Sequence, residues 1–361
     1  MRRFNAGRLL GIILIIPAAM SIGTLALPTR EFQRWHMLDN TIHSNLGWIY
    51  ERIHYDNTPI DIAFVGASRV GAGINSVLLS QTLSLNVVNF SLPMAGRDSS
   101  YAIVKELLSK KTPSLIVVGI TEKPSRYGHA AFKYFADTTD VVDPGHPVNL
   151  NYLSNISYLP FRQIKLFAVS AMPQLLHFRE RFSVETYSGK TIDTTGDVIM
   201  PDGRVKNGTR PALPENLRLQ VASYVKGVRP PILPRSLSNI EFGDERIYVK
   251  KIAELAKKSG TSVWFISIPR YEGEPEIQER QYYHRFGPVL DAQFLARNAT
   301  LYSDYGHLTA QGASILTHWF ARKLIASCVA PSSLDSSTDT GSYPGTSASP
   351  NGIDCPLIRT R

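Results

Sequence analysis

The sequence predicts a three-layer α/β fold, in which helices cover both faces of a parallel sheet. Short apolar runs alternate with amphipathic segments of helical length, and this rhythm is typical of βαβ units. The alternation breaks between residues 122 and 240, which predicts a large α+β insertion. An uncharged apolar stretch near the start predicts one N-terminal transmembrane helix before the domain.

Each predicted strand is a short run of apolar and β-branched residues, and each is followed by a helical pattern. Strands are expected at residues 60–65, 86–90, 114–119 and 262–268, with a last short strand at 299–302. Helices are expected at residues 75–83, 99–109, 244–258 and 309–325. Inside the insertion we expect helices near residues 158–182 and 214–225 and a hairpin around Pro201-Asp202-Gly203. Because the core pattern resumes afterwards, an insertion or cap is favoured over the alternative of an independent domain.

The N-terminal segment has the length and flanking charge of a membrane span. Residues 9–27 carry no charge and follow Arg2, Arg3 and Arg8. That length crosses a hydrocarbon core of about 30 Å, and the basic flank predicts that the N-terminus stays inside. An uncleaved anchor over residues 1–28 is favoured; the alternative is a signal peptide cut after Ala26. With the anchor we expect a single-pass inner-membrane protein whose C-terminal domain is periplasmic or extracytoplasmic; a cleaved signal peptide would export the domain as well.

Composition divides the rest of the chain into three parts. Residues 29–58 read as a polar stalk with aromatic residues, and residues 59–328 as the α/β domain with its insertion at 123–240. Residues 329–361 are rich in Ser, Thr, Pro and Gly, which predicts a disordered tail. The two cysteines, Cys328 and Cys355, are too few for a disulfide framework or a zinc ribbon. They either form one disulfide or remain two separate thiols.

The charge distribution and the spacing of motif residues argue against nucleic acid, metal ions and nucleotides as ligands. The chain has 39 basic and 30 acidic residues, a net charge of +9, which favours acidic partners. The basic residues are scattered, so no nucleic-acid partner is expected. No histidine pair has metal-ligand spacing, and Ala72-Gly73 replace the Lys-Ser/Thr that a P-loop needs after Gly66-x4-Gly71. No metal and no other cofactor are therefore predicted.

Residues that could carry acyl chemistry follow the predicted strands. Ser68 follows the first strand, Gly96 the second and Thr121 the third, while Asp304 and His307 follow the last. The carboxyl ends of parallel strands meet at one edge of a sheet, where ligands bind. A hydroxyl, a base, an orienting carboxylate and oxyanion donors would thus converge there.

These blocks resemble those of the SGNH (GDSL-type) hydrolase superfamily. Gly66-Ala67-Ser68 resembles the family's Gly-Asp-Ser nucleophile block, and Asp304-x-x-His307 matches its last block. Gly96 is the candidate for the glycine of the second block. Gly119-Ile120-Thr121-Glu122 resembles the Gly-x-Asn-Asp block, with Thr121 in place of the oxyanion asparagine. The likeness covers about residues 60–125 and 260–326 and implies a flavodoxin-like, SGNH-type sheet.

The resemblance implies a role for each of these residues. Ser68 would be the nucleophile, His307 the general base and Asp304 the carboxylate that orients it. The backbone N–H groups of Ser68 and Gly96 would bind the oxyanion, with the Thr121 hydroxyl as a further donor. Losing the asparagine donor is expected to slow turnover, since one such group is worth about 10²–10³ in rate.

The layout is similar to that of exported SGNH-like proteins of polysaccharide O-acetylation systems. It implies a membrane-anchored serine O-acyltransferase that acetylates an extracellular polysaccharide, with an integral membrane protein as the partner that hands over acyl groups. One alternative is an esterase that deacylates a glycan or lipid; another is a non-catalytic scaffold or glycan-binding subunit of an export complex. Arg69 and Arg97 flank the site and are candidates for binding an anionic sugar, or are solvated surface residues.

Overall fold

The computed structural model describes residues 23–94, 96–143, 150–176, 198–199, 205–206, 208, 210–227 and 232–329. Most of the expected anchor, residues 1–28, lies outside these ranges, and so does nearly all of the expected tail, residues 329–361. Within the described ranges, no helix combines the length and apolarity needed to cross a bilayer. Cys328 is disulfide-bonded, whereas Cys355 falls outside the described part.

The described residues contain strands of two to six residues and helices of four to twenty residues. The strands are β1 (Ile62–Val65), β2 (Val87–Asn89), β3 (Leu115–Ile120), β4 (Val198–Ile199), β5 (Val205–Lys206), β6 (Ser262–Ser267), β7 (Val289–Asp291), β8 (Tyr302–Asp304) and β9 (His307–Leu308). The helices before the insertion are α1 (Glu31–Trp35), α2 (Asn45–His54), α3 (Ser68–Gly73), α4 (Ser76–Leu83) and α5 (Arg97–Lys110). The later ones are α6 (Phe132–Phe135), α7 (Thr138–Val141), α8 (Tyr152–Ala171), α9 (Pro214–Gly227), α10 (Ser238–Glu241), α11 (Gly243–Lys258), α12 (Arg280–Tyr283) and α13 (Ala310–Val329).

Five strands form one parallel sheet in the order β2-β1-β3-β6-β7. Numbered along the chain within this sheet, the order is 2-1-3-4-5, a doubly wound arrangement. The predicted α/β class with a parallel sheet is therefore confirmed. The edge strand β7 is absent from the sequence prediction because it has only three residues, of which Leu290 alone is buried.

Alternate residues of each central strand face opposite sides of the sheet, and each side has its own core. Ala63 and Val65 of β1 pack in the core that contains α5 and α11, whereas Ile62 and Phe64 pack in the core that contains α4 and α13. This two-residue period is that of any strand. Since both sides are apolar, every residue of β1 and β3 is buried.

The stretch expected as a stalk is part of the folded domain instead. Trp35 of α1 and Leu46, Ile49 and Ile53 of α2 are buried in the same core as α5. Leu46, Ile49 and Ile53 recur at helical spacing, so one face of α2 is apolar and must be covered. The folded domain therefore begins near residue 31 rather than residue 59.

The described parts of the insertion also pack on the α/β core. Phe132, Phe135 and Leu159 join the core beside α5, and Leu217 of α9 joins the core beside α13. Strands β4 and β5 pair antiparallel on either side of Pro201-Asp202-Gly203, as the hairpin prediction requires. An insertion that shares both cores fits the favoured prediction better than an independent domain does.

Candidate active site

A tight turn between β1 and α3 carries Ser68. A side chain on Gly66 would place its Cβ 2.9 Å from Val70 Cγ2 and 3.2 Å from Gly119 Cα. A Cβ on Gly119 would lie only 2.1 Å from the same Val70 atom. Both glycines are therefore needed for Val70 to pack across the ends of β1 and β3. This packing fixes the start of α3, where Ser68 is the first residue.

A second turn, between β8 and β9, carries Asp304 and His307. Asp304 Oδ1 accepts hydrogen bonds from the backbone N–H groups of Gly306, at 2.8 Å, and His307, at 2.9 Å. An aspartate that bonds to the backbone ahead of it in this way stabilises a turn. The strand expected at residues 299–302 is different: a 3₁₀ helix covers Ala299–Leu301, because the Asn298 side chain caps it by accepting from Thr300 N–H, and β8 begins at Tyr302.

The two turns bring the three predicted catalytic residues together. Ser68 Oγ lies 2.7 Å from His307 Nε2, and His307 Nδ1 lies 2.8 Å from each carboxylate oxygen of Asp304. Because an ionised carboxylate only accepts hydrogen bonds, the imidazole proton stays on Nδ1, and Nε2 is the nitrogen that accepts the proton of Ser68. This is the geometry of a nucleophile, a base and an orienting carboxylate.

Backbone N–H groups are candidate oxyanion donors beside this triad. No acceptor within the described residues takes the N–H of Ser68 or of Gly96. Leu92 N–H donates to Gly66 O at 2.9 Å, which keeps the segment after β2 alongside the serine turn. Thr121 is engaged elsewhere: its hydroxyl donates to Lys123 O at 2.5 Å. Because a hydroxyl has one proton, that bond would have to break before Thr121 could donate to an oxyanion.

Gly96 is held close to a buried histidine. A Cβ at Gly96 would lie 2.4 Å from both the backbone nitrogen and the Cβ of His129, so the position needs glycine. His129 Nε2 lies 2.6 Å from Pro93 O, an acceptor only, while its Nδ1 accepts from Ala131 N–H at 3.0 Å. These partners fix the neutral tautomer, and burial lowers the pKa of His129 to about 4.

We expect His129 to make the protein sensitive to acid. Between pH 6.5 and 4 the unfolded chain binds a proton at this position and the folded chain does not, so stability falls as the pH falls. The difference in pKa corresponds to about 3 kcal/mol of unfolding free energy. Urea unfolding at several pH values should show a shallower fall for His129→Gln than for the wild type.

The neighbouring Asp98 has the opposite effect on the pH dependence of stability. The contribution of His129 is therefore measured by comparing His129→Gln with the wild type. Burial raises the pKa of Asp98 from 3.8 to about 7, so this carboxyl favours the folded state on acidification over the whole of the range in which His129 opposes it. The exposed His284 supplies the control, since His284→Gln should leave the slope unchanged. Equal slopes for His129→Gln and the wild type would contradict the prediction.

Arg69 is buried beneath the site and is not a solvated flank. Its guanidinium donates to Glu122 Oε1 at 2.7 Å, to Glu122 Oε2 at 3.2 Å and to Ile268 O at 2.6 Å. Arg270 also donates to Glu122 Oε2, at 2.9 Å. Glu122, the last residue of the Gly119-Ile120-Thr121-Glu122 block, thus binds two arginines below the turn that carries Ser68. The sequence alone does not indicate that Glu122 binds these two arginines.

Arg97 is likewise turned into the interior. Its side chain is 2% exposed, and its Nε donates to Glu245 Oε1 at 2.8 Å. Tyr283 O–H donates to the same carboxylate oxygen at 2.9 Å. Both Arg69 and Arg97 therefore bind carboxylates of the protein, and this arrangement argues against either of them as the residue that meets an anionic sugar.

Three residues near the triad are absent from the sequence prediction: Arg270, from the end of β6, and Gln220 and Tyr224, from the insertion. Arg270 follows β6, so the strand-end rule applied to that strand also points to it. Gln220 and Tyr224 lie on α9, and no sequence signal connects them with the turn that carries Asp304 and His307. Gln220 Oε1 nevertheless accepts from Tyr305 N–H at 3.0 Å, between Asp304 and His307.

The described residues hold no group of three or more His, Cys, Asp or Glu side chains that could bind a metal ion. Comparison with known proteins adds no assignment: no protein-family model matches the chain, and no curated protein matches it.

Proposed function

We propose that this protein is a serine acyl-ester enzyme of the SGNH type, with Ser68 as nucleophile. One observation carries the proposal: Ser68 Oγ, His307 and Asp304 form a continuous hydrogen-bonded chain, with 2.7 Å and 2.8 Å between successive partners. Ser68 follows β1 at the carboxyl edge of the parallel sheet, and the separate β8–β9 hairpin brings Asp304 and His307 to that edge, with His307 239 positions further along the chain. Ligands bind at such edges.

The geometry supports a two-step acyl transfer. Ser68 Oγ attacks the carbonyl carbon of an ester while His307 Nε2 takes the hydroxyl proton. The imidazolium is stabilised by Asp304, and the oxyanion is bound by the N–H groups of Ser68 and Gly96. The carbon–oxygen bond to the leaving alcohol breaks as His307 returns the proton to that alcohol. A second alcohol or water then attacks the acyl-serine, again losing its proton to His307. The bond from the acyl carbon to Ser68 Oγ breaks, and His307 returns the proton to Ser68.

The acceptor we propose is a hydroxyl group of an extracellular polysaccharide, so that the reaction is O-acetyl transfer. Support comes from the uncharged segment at residues 9–27, the net charge of +9 and the similarity of the sequence blocks to exported SGNH-like proteins. Acyl-CoA is cytoplasmic, so an integral membrane partner would supply the acyl group. Deacylation by water is the alternative for the same acyl-enzyme, and product analysis with and without a sugar acceptor separates them.

One observation favours a second function, a non-catalytic scaffold or glycan-binding subunit. The Thr121 hydroxyl, which stands where the family has an oxyanion asparagine, is committed to Lys123 O. With two donors from the backbone and none from a side chain, turnover would be about 10²–10³ slower than with a complete oxyanion hole. A slow enzyme and a scaffold are distinguished by whether Ser68 forms a covalent adduct.

A fluorophosphonate probe tests the nucleophile directly in the full-length protein in detergent. We expect the probe to label the wild type and not Ser68→Ala, because only a hydroxyl activated by His307 attacks phosphorus. Turnover of p-nitrophenyl acetate should fall at least about 10³-fold in the same variant. Ser76, the first residue of α4, is the matched control, and Ser76→Ala should be labelled normally. Absence of labelling in folded wild type would favour the scaffold function.

A further inference from the structure

Arg270 projects from the end of β6 and is held in place on two sides. Its guanidinium carbon lies 4.2 Å from the centre of the Tyr224 ring, and its Nη1 donates to Glu122 Oε2 at 2.9 Å. Stacking occupies a face of the guanidinium, whereas its N–H donors lie in its plane. Within the described residues, no acceptor takes the Nε or Nη2 protons of Arg270, and the side chain is 23% exposed. These donors are therefore oriented and open to a ligand.

The charge around Arg270 is not balanced. Arg69 and Arg270 share the one carboxylate of Glu122, so the three groups together carry +1. Burial raises the pKa of Glu122, but the two arginines outweigh this effect and lower it overall, so the carboxylate is ionised at neutral pH. Burial, followed by repulsion from Arg69, lowers the pKa of Arg270. A second anion beside Arg270 would relieve that repulsion and neutralise the cluster.

The cluster adjoins the catalytic turn. The Tyr224 ring lies 5.4 Å from the Tyr305 ring, and Tyr305 sits between Asp304 and His307 in the turn. Tyr271 N–H, next to Arg270, donates to Tyr305 O at 2.9 Å. On the other side, Arg69 follows the nucleophile directly in sequence. Arg270 is thus joined to each half of the triad through two intervening residues. These are Glu122 and Arg69 on the side of Ser68, and Tyr271 and Tyr305 on the side of Asp304 and His307.

We propose that Arg270, stacked on Tyr224 of the insertion, binds a carboxylate of the acceptor sugar, so that the acceptor is a uronate-bearing polysaccharide. The role of this sugar as acyl acceptor rests on the proposed function, whereas the carboxylate site itself rests only on the contacts of Arg270. A guanidinium with free in-plane donors matches a carboxylate in charge and geometry. Tyr224 and Gln220 belong to α9 of the insertion. The insertion would therefore select the acceptor.

Direct binding tests the proposal without requiring turnover. The full-length protein in detergent, with Ser68→Ala to prevent reaction, is titrated calorimetrically with tetragalacturonate and with the same oligosaccharide after reduction of its carboxyl groups. We expect at least a tenfold lower Kd for the charged oligosaccharide. Equal Kd values would overturn the proposal. Because the two oligosaccharides are compared on the same protein, this result does not depend on whether a variant at Arg270 folds.

Variants then locate the charge preference. Arg270→Gln should abolish the difference in Kd, whereas Arg270→Lys, which keeps the charge and loses the fork of donors, should retain part of it. Arg218 is the matched control, because it is an exposed arginine on the same helix, and Arg218→Gln should keep the full difference. A preference that survives Arg270→Gln, or that Arg218→Gln removes, would place the anion site elsewhere.

The outcomes also separate this proposal from the proposed function. If the probe labels Ser68 but the two oligosaccharides bind equally, the acyl chemistry stands and the carboxylate site is wrong. If the charge preference depends on Arg270 but no probe labels the wild type, the site is right and the protein is a glycan-binding subunit.

Discussion

Replacing Asp304 with asparagine is expected to lower kcat for p-nitrophenyl acetate by about 10³–10⁴-fold while the protein stays folded. Asp304 Oδ1 accepts two backbone N–H groups of its own turn, and an asparagine oxygen can accept both. The asparagine NH₂ would then stand at Oδ2, which lies 2.8 Å from His307 Nδ1. A donor there repels the proton on Nδ1 and favours the tautomer protonated at Nε2, in which His307 cannot accept the proton of Ser68.

Asp291, at the end of β7, is the matched control, because Asp291→Asn makes the same aspartate-to-asparagine change away from the triad. It pairs with Arg280, and Asp291→Asn should leave kcat within about twofold of the wild type, since the loss of one partly exposed ion pair does not touch the imidazole. Circular dichroism establishes that both variants are folded. A kcat for Asp304→Asn within threefold of the wild type would mean that His307 does not act as the general base.

Glu122→Gln is expected to cost about 3–5 kcal/mol of unfolding free energy, because it leaves two arginines facing each other without a counter-charge. The Glu122 side chain is 5% exposed and Arg69 is 8% exposed, so solvent does little to screen the repulsion. A domain of ordinary stability has only about 5–15 kcal/mol in total. Urea unfolding should therefore show a large fall in the midpoint with an unchanged m-value.

The exposed pair of Lys123 and Glu274 provides the control for this effect. Lys123 is the next residue along the chain, and both side chains of its ion pair are open to solvent. Glu274→Gln should cost less than about 1 kcal/mol. If Glu122→Gln were equally mild, the arginines would be neutralised by groups other than Glu122, and the charge argument for the anion site at Arg270 would fail with it.

The sequence predicts the sheet and the triad turns well because both are local patterns. A run such as residues 114–119 is short and rich in β-branched residues, which predicts a strand buried on both faces. Asp304-x-x-His307 is a turn that the aspartate stabilises by its own hydrogen bonds. It predicts α2 poorly, since Leu46, Ile49 and Ile53 have helical spacing but sit among polar residues that suggest a stalk. It misses β7, because three residues carry too little pattern to define a strand.

The environment of the arginines could not be read from the sequence at all. An arginine next to a nucleophile looks the same whether it meets substrate or a buried carboxylate, and Glu122 is 53 residues from Arg69. Likewise, nothing in the sequence places Tyr224 of the insertion over Arg270. Such pairings depend on where distant segments pack, and charge patterns along the chain contain no information about that.

The sequence by itself determined the α/β class, the parallel strands and the residue types available for acyl chemistry, because periodicity and turn residues act over a few neighbours. Only the tertiary structure decided that Ser68 and His307 meet at 2.7 Å, that Arg69 and Arg97 are buried on carboxylates, and that Arg270 keeps open donors beside the triad. Those outcomes follow from the packing of both sheet faces, which brings residues 53 to 239 positions apart into contact. The same packing removes some charged groups from water and leaves others exposed.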